Sequence, residues 1–152
     1  MLIFMADYTL LGAAAALIYP EDFLRSYTAL TIHGFVWHGI LLFISLTIIL
    51  SDAGDSSEGD FISSTVIFCI LSLAALAINI AAEPLMQASH TEHSYAAMFY
   101  LNPYHLSPQP LVSAVQQQLG IPAGLILYSL CIIAAAAIVE IIRNKCRKLT
   151  KR

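Results

Sequence analysis

Residues 121–142 read IPAGLILYSLCIIAAAAIVEII, and residues 143–152 follow as RNKCRKLTKR. Glu140 is the only charged residue in the first stretch. As an α-helix that stretch covers the roughly 30 Å of a bilayer's hydrocarbon core. The second stretch holds six bases and no acid. A basic cluster beside a span is retained on the cytoplasmic side, so residues 143–152 are expected to form a cytoplasmic tail. An apolar span stopped by such a cluster sets the terms for reading everything before it.

Working outward, three more stretches approach the same length. Phe61 to Ala82 carries no charge. Tyr27 to Leu50 carries none when His33 and His38 are neutral. Met1 to Tyr19 is broken only by Asp7 and ends at Pro20. It lacks the positive n-region of a signal peptide, and its run Ala13 to Ala16 suits close helix packing. The expected fold is an all-α integral membrane protein. It has four transmembrane helices (about 1–19, 27–50, 61–82 and 121–142), or three if the first stretch stops short of spanning. Residues 1–142 would form a single bundle.

Composition agrees. Of 152 residues 59% are hydrophobic and only 11% charged, against about 25% charged in a soluble domain. Mean hydropathy is +0.76, which also excludes a disordered chain. A net charge of -3 argues against a nucleic-acid partner, since phosphate binding needs a basic face. All ten acids lie before residue 143, with Arg25 the only base among them. Four crossings would put both termini inside a cell membrane. The acidic link SDAGDSSEGD (Ser51 to Asp60) would then be cytoplasmic, and the turn Pro20 to Ser26 would face outward.

The connection from Glu83 to Gly120, also expected outside, contains Pro84, Pro103, Pro108 and Pro110 among Tyr95, Phe99, Tyr100 and Tyr104. Such rings favour the membrane interface. Leu111 to Leu119 reads as a short amphipathic helix, with Pro110 in its first turn and Gly120 as its cap. Leu111, Val112, Val115 and Leu119 share one face, and Gln116 to Gln118 face more polar surroundings. We expect an interfacial or re-entrant segment between the last two spans.

Ionisable groups within spans are costly and mark function by default. Glu140 lies one turn from Arg143, so an ion pair at the boundary accounts for it. Asp7 lies near its helix start, where the dipole favours a carboxylate. His33 and His38, in T-I-H-G-F-V-W-H-G, are candidate catalytic residues together with Asn79. Their spacing turns them roughly 140° apart on a helix, so they make no metal clamp on one face. His90 and His93, in H-T-E-H with Glu83 and His105 within reach, are candidate metal ligands. Cys69 and Cys131 read as small buried hydrophobes and Cys146 as a reduced thiol in the tail. No CxxC pair, G-x-S-x-G or phosphate loop occurs, and no cofactor is implied.

The order of motifs resembles the C-terminal half of the YwaF-like integral membrane family, a relative of vertebrate lipid acyltransferases of the ether-phospholipid pathway. The likeness rests on several short segments in order, over most of residues 10–142. They are Pro20-Glu21-Asp22, I-H-G-F-V-W-H-G, Ala77-Ile78-Asn79, the aromatic turn Met98-Phe99-Tyr100-Leu101, and Leu119-Gly120-Ile121-Pro122. The resemblance implies a membrane-buried site at His33 or His38 with Asn79 and the aromatic turn, binding or acylating lipid. The animal enzymes' acyl-carrying cysteine sits in an earlier helix, and neither Cys69 nor Cys131 lies in a matching motif. The missing helices would come from a partner, or the chain would be a reduced relative without catalysis. Two other readings are a non-catalytic subunit of a membrane complex, or homo-oligomer, and an outward-facing metal or small-solute protein.

Overall fold

A computed structural model of the chain describes residues 2–20, 24, 28–51, 58–88 and 98–150. The described residues are helical wherever they are regular. Helix α1 (Leu2–Ile18) is followed by α2 (Thr28–Leu50), α3 (Glu58–Ala88), a short 3-10 turn (Met98–Tyr100), α4 (Pro110–Leu119) and α5 (Ile121–Thr150). Three of these are long and apolar enough to cross a membrane, over Thr28–Leu50, Gly59–Ala88 and Ile121–Cys146. Helix α1 is apolar but only about 25 Å long at the helical rise.

The distribution of polarity identifies the solvent. Asp7, Ser45, Asn79, Gln116, Glu140 and Arg143 are buried, while Leu30, Phe35, Trp37, Phe43, Ile62 and Leu73 stand exposed. A water-soluble helical protein shows the reverse. This chain is an all-α integral membrane protein whose bulky side chains face lipid. Hydroxyls within the spans cap their own helix. Ser45 donates to the Leu41 carbonyl at 2.8 Å, Thr65 to Phe61 at 3.0 Å and Ser129 to Leu125 at 3.0 Å, so these hydroxyls are not left bare in hydrocarbon.

Two compact units divide the chain, Met1–Phe68 with Cys131–Arg152, and Cys69–Leu130. In the first, α1 packs against α2. Ala13 and Ala16 are buried on α1, as are Ser45 and Ile48 on α2. Small side chains allow such close approach where lipid supplies no hydrophobic drive between helices. Helix α1 opens with a π-helical turn over Met5–Thr9. Tyr8 in that turn stacks on Phe68 with centroids 4.8 Å apart and on Phe4 at 5.6 Å. Its hydroxyl is 2.7 Å from Thr65 Oγ1. The Thr65 proton goes to Phe61, so Tyr8 is the donor here.

Several boundaries differ from the sequence reading. Helix α3 runs through Pro84 to Ala88, although Pro84 removes the N–H that would bond the Ile80 carbonyl. Helix α5 runs on through the basic segment to Thr150. Helix α4 starts at Pro110 and ends at Gly120, whose φ of 90° closes the helix. The expected apolar face is split: Val112 is buried beside Gln116, which is 3% exposed, whereas Leu111 is 73% and Leu119 71% exposed. The reason is again the solvent, because a leucine facing lipid loses nothing while a glutamine does. Cys69 and Cys131, expected as buried hydrophobes, are exposed, as is Cys146, and none of the three is in a disulfide; in lipid an apolar thiol loses nothing by facing outward.

Candidate functional site

In the unit Cys69–Leu130, polar side chains converge near the end of α3 and on the segment that follows the 3-10 turn. Asn79 is fully buried. Its amide donates to the Met98 carbonyl at 3.0 Å and the Leu101 carbonyl at 2.8 Å, and Oδ1 accepts from the Met98 N–H at 2.9 Å. Within this turn Phe99 and Tyr100 have φ of 56° and 57°. That left-handed backbone costs a bulky residue about 1–2 kcal/mol, and such strain persists only where neighbours impose it. Asn79 is the neighbour that imposes it. Tyr100 also meets Tyr128 edge-on, with centroids 6.3 Å apart.

One turn of helix beyond Asn79 lies Glu83, 5% exposed. Its Oε1 is 2.7 Å from His105 Nε2 and accepts from Gln87 Nε2 at 2.9 Å. Asn102 Oδ1 accepts from the backbone N–H of Tyr104 at 2.7 Å and of His105 at 2.9 Å, which fixes where the imidazole leaves the chain. Gln116 Oε1 accepts from the Ser107 N–H at 2.7 Å and so ties α4 to the same segment. Gly124 makes room for it: a Cβ there would lie 2.2 Å from Gln116 Cγ.

The Glu83–His105 pair is a carboxylate–imidazole dyad. The carboxylate is shielded, at 7% side-chain exposure, and the imidazole is 37% exposed. With Nε2 donating to Glu83, the neutral ring carries its lone pair on Nδ1, the arrangement of a histidine oriented as a general base. The nucleophile such a base would activate in a cysteine enzyme is not at hand in this unit. Cys69 lies about 21 Å along α3 from Glu83 at the helical rise.

Among the candidates read from the sequence, Asn79 and the aromatic turn come together, but every bond of the Asn79 amide given above goes to that turn. His33 and His38 lie on α2 in the other unit. His33 is exposed and stacks on Trp37 at 6.5 Å, and His38 Nδ1 is 2.9 Å from the Gly34 carbonyl. His90 and His93 lie outside the described residues. Glu83 and His105, named only as their neighbours, are bonded to each other. No group of three potential metal ligands occurs among the described residues. The sequence reading gives His105 only as a neighbour of the metal pair, because Glu83 reads there as the first residue of the connection rather than a residue of α3.

Comparison with protein-family models, curated proteins and solved structures finds no match to this chain.

Proposed function

We propose that this membrane protein acts on lipid, with the Glu83–His105 dyad as its proton-transferring centre. The observation that carries the reading is a shielded carboxylate aligning a partly exposed imidazole at the end of a membrane span, where lipid headgroups meet the hydrocarbon. The resemblance to the YwaF-like family points to the same substrate class. In acyl transfer without an enzyme cysteine, His105 would take the proton of an acceptor lipid's hydroxyl. The new ester bond would form as the donor's acyl bond breaks, and the imidazolium would return its proton to the leaving group.

The orientation belongs to the same proposal. Six bases after Ile142 favour a cytoplasmic C-terminus, and the contact of Asp7 with Arg143 supports a start of α1 at that same face.

Proteoliposomes containing the purified protein, a labelled phospholipid donor and a lysophospholipid acceptor test the reading. Transfer of label that His105→Ala and Glu83→Gln each reduce at least tenfold is the expected result. Transfer that survives both substitutions but falls with His33→Ala or His38→Ala would move the centre to α2. No transfer at all would leave the non-catalytic subunit reading, which the bonding of the Asn79 amide to loop backbone favours.

A further inference from the structure

The unit Met1–Phe68 with Cys131–Arg152 buries three ionisable side chains for which the lipid site has no use. Asp7 is 0% exposed, Arg143 5% and Glu140 8%. Arg143 Nη2 donates to Glu140 Oε2, and Asn144 Nδ2 donates to Glu140 Oε1 at 2.9 Å. Glu140 therefore receives at least two hydrogen bonds. Asp7 receives none: both its oxygens are sealed from solvent without a hydrogen-bond donor among the described residues, and Arg143 Nη2 stands 3.6 Å from Oδ2.

One guanidinium thus serves two carboxylates and is committed to Glu140. A carboxylate left in that position takes up a proton rather than stay charged in a medium that cannot solvate it. No other acid or base faces it from its neighbours as far as they are described. Helix α5 contributes Glu140 and Arg143. Helix α2 has only His33 and His38 as titratable side chains, and α3 meets the π-turn through Thr65 and the rings of Phe61 and Phe68, with Asp60 exposed at its start. The backbone is specialised at the same point, since Asp7 lies inside the π-turn, a feature that recurs at functional sites. Tyr8, held by Thr65 and its aromatic stack, keeps the turn from rotating Asp7 outward.

We propose that Asp7 is a proton-binding site, holding one exchangeable proton within the membrane while Arg143 and Glu140 remain an ion pair. Release of that proton would require Arg143 to be shared back to Asp7, so the site couples proton occupancy to the junction between the start of α1 and the end of the last span. A metal cation fits less well, because it would have to lie beside the guanidinium.

Infrared spectroscopy of the full chain in nanodiscs reads this directly. At neutral pH the spectrum should contain a protonated-carboxyl band that shifts in heavy water, shifts again when the protein carries isotopically labelled aspartate, and disappears in Asp7→Asn. Asn mimics the protonated acid, so that variant should melt within a few degrees of the parent. The labelling arm needs no substitution and stands even if the variant fails to fold. Absence of the band, its shift with labelled glutamate instead of aspartate, or its loss on adding sodium or potassium at constant pH would overturn the proposal.

Discussion

His105 Nε2 and Glu83 Oε1 lie 2.7 Å apart, joining a span residue to the segment that follows the aromatic turn. The pair fastens that segment as well as orienting the imidazole. His105→Ala should therefore lower the melting temperature in detergent and speed proteolysis between α3 and α4. His105→Gln, which can still donate to the carboxylate, should restore the stability but not the lipid turnover. That split separates a fastening role from proton transfer.

Asn79→Ala removes three hydrogen bonds from a buried turn with two left-handed residues. Leaving those backbone groups bare should cost about 2–4 kcal/mol, read by denaturant unfolding in mixed micelles. Asn79→Asp keeps the acceptor for Met98 but turns an oxygen toward two carbonyls, so it should rescue little or nothing.

Gly124→Ala would set a Cβ 2.2 Å from Gln116 Cγ and 3.1 Å from Cδ. Because Cγ is close to the helix backbone, Gln116 must change rotamer and abandon the Ser107 N–H. Such overpacking should cost about 1–3 kcal/mol. In the double variant with Gln116→Ala the two losses should be clearly less than additive, measurable by the same unfolding assay.

Arg143→Gln takes away the one cation shared by Asp7 and Glu140. Removing one partner of a buried ion pair costs on the order of 3–5 kcal/mol, so this variant should be the least stable of the set. Adding Glu140→Gln to it should recover part of the loss, while Asp7→Asn, replacing an acid that is already neutral, should recover little, which a thermal melt of single and double variants would show.

Tyr8→Phe keeps the stack on Phe68 and loses the hydroxyl contact with Thr65. The expected cost is about 1 kcal/mol, seen as a small fall in the melting temperature with unchanged helix content by circular dichroism.

The spans were legible because the signal is local. An uncharged run such as Phe61 to Ala82 has one stable form in lipid, a helix that satisfies its own backbone. The limits of α4 were legible for the same reason, since Pro110 and Gly120 act on their own dihedrals. Which of its residues turn inward was not: Gln116 is buried beside Val112 while Leu111 and Leu119 face out, because a leucine loses nothing in lipid and a glutamine does. Asp7 and Glu140 could each be explained locally, by a helix start and by Arg143 one turn away, and those local explanations concealed that all three side chains meet. Likewise the interest of the span histidines drew attention from His105, whose partner Glu83 looks like a loop carboxylate until α3 is seen to continue through Pro84.

By itself the sequence determined that lipid is the solvent, where the three long helices run and where charge is scarce, because hydropathy and span length are properties of contiguous residues. The tertiary structure alone decided that Arg143 serves Asp7 and Glu140, that Asn79 holds the strained aromatic turn, and that Glu83 aligns His105. Hydrocarbon offers no hydrophobic drive to choose one helix register over another. The choice falls to a few polar groups that must find partners, and those partners lie far away along the chain.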